Sequence, residues 1–300
     1  MTPPFVHSLR YEVDIGPHVF PVAKYRLVRE RLIARGLASA ADFAEPEMPS
    51  TEELTRVHEP AYLEDLRRLR VTARTASSEL PLTREIVEAF TLAAGGTLLA
   101  ARRALETGAA LHIGGGLHHA FRDRAEGFCY VNDVAVAARA LLAEGRIERA
   151  AVIDLDVHQG NGTARIFAEE PAVFTFSVHQ ENNYPVKERS DRDVGLDDGA
   201  GDDEYLAVLE REVPPILDRH RPEIAFYLAG ADPYERDQLG GLALTLAGLR
   251  ERDRRILAWC RERGVPVCVV LAGGYAQLES DTVAIHAATA EEVLRQLGRM

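Results

Sequence analysis

Three residues alternate along one short segment of the chain: Asp154, Asp156 and His158, in IDLDVH. On an extended strand successive side chains face opposite sides, so these three would point one way, with Leu155 and Val157 on the other. Two carboxylates and an imidazole on one face of a buried strand are costly unless a cation shares them. A mixed carboxylate and imidazole set suits a divalent metal of borderline preference such as Zn2+, and catalytic zinc takes three protein ligands. Asp232, in LAGADPY, could supply the third from a neighbouring strand end. Taken alone, a salt-bridge cluster or a strand-end turn accounts for D-x-D-x-H equally well. His118 and His119 follow the glycines Gly114, Gly115 and Gly116, and imidazoles titrate near neutrality, which suits an acid/base role. A phosphate cradle is disfavoured there, because no Lys-Ser/Thr follows the glycines. Tyr275 stands after Gly273 and Gly274; beside a metal its hydroxyl could donate to a developing oxyanion, and the glycines would let it move.

These residues share a position relative to the elements that must hold them. Apolar runs of strand length lie at 150–157, 172–178, 223–229 and 265–272, each rich in β-branched or aromatic residues. Between them run segments of helical periodicity at 85–105, 134–144, 204–213 and 246–263. Asn132 or Asp133 would cap the second helix, Pro214-Pro215 would end or kink the third, and Gly264 would stop the fourth. Strands alternating with helices predict a three-layer α/β/α fold with a central, mostly parallel sheet. Residues 36–60 and 180–203 read as surface loop. The chemistry-bearing residues all follow apolar runs, and in open parallel sheets ligands bind beyond the carboxyl ends of the strands.

Composition sets the outer bounds. The chain has 300 residues, 46% hydrophobic, enough for one large domain spanning 1–300, with no linker-like stretch. A net charge of −12 argues against wrapping a nucleic-acid backbone. Three cysteines without C-x-x-C spacing argue against a disulfide framework and fit a reducing, cytoplasmic setting. No apolar stretch approaches the ~20 residues a membrane span needs.

The motifs GGGLHHA (114–120), GFCYVND (127–133), DLDVHQGNGT (154–163), GADPYERDQLGGL (230–242) and LAGGY (271–275) together resemble the zinc-dependent histone deacetylase family, which has the arginase/deacetylase fold. FPVAKYRLVRERL (20–32) and RVHEPAYLEDL (56–66) are similar to its N-terminal region. HQGNGT and RDQLGGL look most like the class IV branch and its bacterial relatives. The resemblance implies one Zn2+ held by Asp156, His158 and Asp232. It implies His119 as general base and then acid, His118 as its electrostatic partner oriented by Asp154, and Tyr275 as polariser of the carbonyl. Gly127 and Phe128 would line a narrow channel, with Tyr184-Pro185 on the opposite wall and Gly273 and Gly274 beside the substrate. A structural K+ near Asp154, with Ser177 contributing, is also implied. Two departures stand out. Asn161 sits where many members have Asp, leaving His119 a neutral partner and a less basic imidazole. ENNYPVKERSDRD replaces the family's long Gly-rich aromatic loop.

The activity implied is removal of an acyl group, acetyl or longer, from the side-chain amine of lysine in proteins by metal-activated water. Three rivals stand beside it. An arginase-type binuclear manganese site wants an Asp where Gly160 stands. An acetylpolyamine or other small N-acyl amine deacetylase could use the acidic residues near 197–204 to attract a cation. A catalytically silent acyl-lysine binding module is disfavoured because every expected catalytic position is filled.

Overall fold

The computed structural model describes residues 2–300. Eight strands form one sheet among the described residues: β1 (Phe5–Val6), β2 (Phe43–Ala44), β3 (Ala109–His112), β4 (Ala150–Asp154), β5 (Val173–Gln180), β6 (Arg192–Leu196), β7 (Ile224–Leu228) and β8 (Val267–Val270). Their order is β2-β1-β3-β8-β7-β4-β5-β6, and every pairing is parallel. The four strands β3, β4, β7 and β8 are buried throughout, as a sheet covered on both faces requires.

The register levels the strand ends. His112 of β3 lies opposite Val270 of β8, Val270 opposite Leu228 of β7, Leu228 opposite Asp154 of β4, and Asp154 opposite Ser177 of β5. The segments that leave this row are 113–119, 155–158, 229–232 and 271–275. The four strand ends that sequence grouped are therefore neighbours in space. Chain order jumps from β3 to β4 across the positions β8 and β7 later fill, so the row includes the point where strand order reverses.

Local chemistry explains the helices that clamp this row. Thr83 caps the helix Arg84–Thr107 by accepting from Ile86 N, and Gly108 ends it at φ +92°. Asn132 caps Asp133–Ala143 by accepting from Ala135 N. The buried Asp133 carboxylate is thereby free for other donors. It accepts from Gly116 N at 3.0 Å, Leu117 N at 2.7 Å and the Thr97 hydroxyl. Asp133 thus ties the glycine loop after β3 to two helices. Gly116 (φ +80°) is needed there, because a Cβ would sit 2.5 Å from Ala272, on the loop after β8.

Three expectations are corrected. Pro214 and Pro215 neither end the third helix nor break it; Asp202–His220 runs through both. Buried Tyr205, Val208 and Leu209 before the prolines and Ile216 and Leu217 after them anchor both halves. At about 1.5–3 kcal/mol per apolar side chain, the five together outweigh a penalty of about 3 kcal/mol for each of the two prolines. Residues 36–60 contain β2, the helix Thr51–Thr55 and the start of Pro60–Arg67 rather than loop alone. Residues 180–203 contain β6, an edge strand whose charged Arg192 and Asp193 hide it from a search for apolar runs.

Replacing Asp133 with Ala strands two buried backbone N–H groups. Urea unfolding should show a loss of about 3 kcal/mol or more, against a cost of ~1–3 kcal/mol per buried group left unsatisfied. A loss under about 1 kcal/mol would contradict this role for the carboxylate.

Candidate active site

β4 ends at Asp154, and the chain then bends instead of continuing as a strand. The convergence of Asp156 and His158 is therefore built by the bend. Asp154 Oδ1 accepts from Asp156 N at 3.2 Å, and Asp156 Oδ1 accepts from His158 N at 2.9 Å, so each carboxylate folds back on the N–H two residues ahead. Asp154 turns toward His118, while Asp156 and His158 join Asp232 from the end of β7.

One ligand atom from each of Asp156, His158 and Asp232 lies within 4.8 Å of the others, and all three residues are buried. His158 Nδ1 is 3.2 Å from Asp156 Oδ1 and 3.5 Å from Asp232 Oδ2. Asp232 Oδ1 accepts from Val157 N at 2.9 Å, and Asp156 Oδ2 from Gly273 N at 2.8 Å. Asp232 Oδ2 is buried without a hydrogen-bond donor. A Cβ on Gly273 would come within 2.0 Å of that same atom. A buried orphan carboxylate oxygen, an imidazole and a second carboxylate, with a glycine keeping the space clear, fit a divalent cation. Burial, then Asp156, push the Asp232 carboxyl up to about 7.

Two imidazoles flank the cluster. His118 Nδ1 lies 2.7 Å from Asp154 Oδ2, and His119 Nδ1 lies 2.8 Å from Asn161 Oδ1. Burial lowers the His118 pKa, but Asp154 and then Asp156 outweigh it and hold the ring at about 9. His119 has the opposite fate: burial, then His118 and His158, drive it well below its ordinary value. One ring is kept charged and its neighbour neutral, with ring centroids 4.1 Å apart. Tyr275, its phenol raised well above 10 by burial and then by Asp232 and Asp156, stays a neutral donor.

Tyr184 faces His119 edge-on at 5.2 Å, and Phe128 lies 6.1 Å from Tyr275. Together with Gly127, Asn183, Leu239 and Glu79 they surround a cavity of about 170 Å3 that opens outward from His119 and His158. Gly127 is required at the wall, since a Cβ would meet the His119 ring at 2.5 Å. Gly273 borders the Asp156/His158/Asp232 group and Gly274 packs against Ala231, yet the loop they belong to is pinned. Gly273 N is held by Asp156, and Tyr275 N by Asp237 Oδ2 at 2.7 Å. The glycines thus serve close approach rather than movement of Tyr275. Ser177, named for K+, places Oγ 2.9 Å from His179 Nδ1 and lies opposite Asp154 in the sheet. The acidic stretch 197–204 does not border the cavity. Asp202 accepts from Thr245, while Asp202, Asp203 and Glu204 occupy the first turn of Asp202–His220.

Three supporting residues went unassigned in sequence. Asp237 holds the Tyr275 loop and also accepts from Leu239 N and Gly240 N. Lys24 is fully buried and donates to Ala272 O at 2.7 Å; burial lowers its pKa to about 8 against the upward pull of Asp232, Asp156 and Asp237. Glu126 accepts from Asn161 Nδ2 at 2.7 Å. Asp237 lies inside a quoted motif, but nothing in the spacing of Lys24 or Glu126 points to the site.

A parallel sheet carrying a carboxylate–imidazole group that could bind a metal and two hydrogen-bonded histidines at its carboxyl edge has the frame of the arginase/deacetylase fold. The histone deacetylase domain matches residues 18–291, and the chain belongs to the histone deacetylase family, hydrolases acting on amide bonds. It is 30% identical over 294 residues to histone deacetylase 2 of Arabidopsis thaliana, covering 93% of this chain and 76% of the plant protein. Two solved structures share the fold at a TM-score of 0.80. One is the HDA15 HD domain (24% identity; 98% of this chain, 94% of that one). The other is the acetylpolyamine aminohydrolase of Burkholderia pseudomallei (20% identity; 97% and 98%).

Gly273→Ala tests the cation site without catalysis. Its Cβ must displace Asp232 Oδ2, so zinc affinity measured by chelator competition should fall about 10–100-fold. Gly201→Ala, whose Cβ meets nothing closer than 3.8 Å, is the control. Unchanged affinity in Gly273→Ala would mean that Asp232 is not a ligand.

Proposed function

We propose that residues 1–300 act as one catalytic domain, a zinc-dependent deacylase that removes an acyl group from the side-chain amine of lysine in a protein or peptide. The observation that carries this reading is the orphan Asp232 oxygen beside Asp156 and His158, with His158 also lining the cavity that Phe128, Tyr184 and Tyr275 wall. A divalent ion held by these three residues would supply Lewis-acid polarisation of a carbonyl and of a water molecule.

The remaining work falls to the chain. Phe128 and Tyr184 bracket the alkyl stem of the substrate, and Gly127 leaves room for it. His119 donates its Nδ1 hydrogen to Asn161 and presents Nε2 as the base. There it takes a proton from the attacking water and returns it to the leaving nitrogen. His118, held charged by Asp154, keeps the His119 ring neutral until that transfer. Tyr275 donates to the carbonyl oxygen as negative charge develops. The products are a carboxylate and a free amine.

A second metal of the arginase type is disfavoured by crowding at Gly160, where even a Cβ would sit 2.3 Å from Asp154 Oδ2. A small acylated polyamine is the second reading. What favours it is Glu79, an exposed carboxylate on the channel rim, rather than the 197–204 acids.

Hydrolysis of one lysine peptide bearing acetyl through myristoyl groups, beside acetylpolyamines, separates the two. Release from the peptide should be abolished by a chelator. His119→Ala should cost about 10²–10⁴-fold in kcat and Tyr275→Phe about 10²-fold. Release from the polyamines alone would move the substrate to the second reading. No release from either by the zinc-loaded protein would sink the deacylase reading.

A further inference from the structure

Asn161 is a neutral partner for His119, yet it is not the end of the chain of contacts. Its Oδ1 accepts from His119 Nδ1 at 2.8 Å and from Gly162 N at 3.0 Å, while its Nδ2 donates to Glu126 Oε1 at 2.7 Å. Nδ2 also approaches Val186 O at 3.5 Å. Glu126 is itself tethered: Oε2 lies 3.3 Å from Arg124 Nε, and Arg124 stacks on Phe121 at 3.5 Å. An amide can present either its oxygen or its NH2 to the imidazole. Here the reversed amide would face its NH2 toward the Gly162 donor and its oxygen toward a carboxylate, so both neighbours fix the same orientation.

We infer that Glu126 is a positioning residue for the reaction: acting through Asn161, it sets the His119 tautomer that leaves Nε2 free as the base. With Oδ1 turned to the ring, Nδ1 must carry the hydrogen, and the unprotonated nitrogen faces the channel. The same geometry gives a reason for Asn at 161. An Asp there would put a second carboxylate 2.7 Å from Glu126, and two carboxylates that close cannot both ionise. The negative charge behind His119 is thus held one side chain further back, with a neutral amide between. This rests on the deacylase reading for what Nε2 does, but the tautomer itself does not.

The test has two arms. In zinc-free, 15N-histidine-labelled protein, long-range 1H–15N spectra report which ring nitrogen of His119 carries hydrogen, the signal being assigned by its loss in His119→Gln. Wild type should show Nδ1–H alone, and Glu126→Ala a mixture of tautomers. In the zinc-loaded protein, Glu126→Ala should lower kcat about tenfold with KM changed less than about twofold, and Glu126→Gln, which keeps an acceptor, should lose about twofold. Asn161→Asp should lose about tenfold or more, and the double variant Asn161→Asp/Glu126→Gln should recover at least about fivefold over it, a coupling that general loss of structure would not produce. An unchanged tautomer in Glu126→Ala, or a double variant no better than Asn161→Asp, overturns the inference. The spectra need no turnover, so failure of the deacylase reading and failure of this one are separate results.

Discussion

Asp156 and Asp232 are buried side by side, and much of the surrounding structure answers that placement. Removing two carboxylates from water costs several kcal/mol each unless donors or cations replace the lost hydration. Val157 N and Gly273 N each give one hydrogen bond, His158 contributes an imidazole, and Lys24 lies buried behind with its ammonium on Ala272 O. One oxygen, Asp232 Oδ2, is left over. Within the Asp156/His158/Asp232 group the other carboxylate oxygens each accept a backbone N–H, and the oxygen left without one makes the group one that could hold a cation. The same concentration of negative charge, together with burial, keeps the Tyr275 phenol neutral and therefore a donor.

That arrangement can exist only where several strands end together. Levelled ends of β3, β8, β7 and β4 let four separate loops, each from a different part of the chain, contribute to one pocket. The loops are then fixed by carboxylates outside the Asp156/His158/Asp232 group. Asp133 holds the glycine loop that carries His118 and His119, and Asp237 holds the loop that carries Tyr275. Paired donors around buried acids give rigidity, so the two histidines and the tyrosine are positioned before any substrate arrives.

The pair of histidines shows how identical side chains acquire different surroundings. Both are buried and both use Nδ1 for a hydrogen bond. A carboxylate partner keeps His118 charged, while an amide partner and a charged neighbour keep His119 neutral. Neither ring's protonation follows from its own identity. The difference lies in residues 36 and 42 positions further along the chain.

Local sequence pattern was enough for the α/β class, for β4, β5, β7 and β8, for four of the helices and for the set of residues that meet at the strand ends. Each of these is written in local periodicity or in side-chain type: β-branched runs for strands, D-x-D-x-H and G-G-G-x-H-H for the groups beyond them. It also carried the family, through motifs kept in order. It missed β1, β2 and β3, too short to stand out, β6, too charged, and the helix Glu279–Gln296, and it ended or kinked the third helix at Pro214-Pro215 where packing carries it through. Only the tertiary structure decided that Asp156 and His158 converge through a bend rather than a strand, that Gly273 and Gly274 serve close approach, and that Lys24, Glu126 and Asp237 support the site. The bend is local, but the other contacts join residues dozens to hundreds of positions apart, as Lys24 with Ala272. Such distances are set by sheet order and register, which no local pattern encodes.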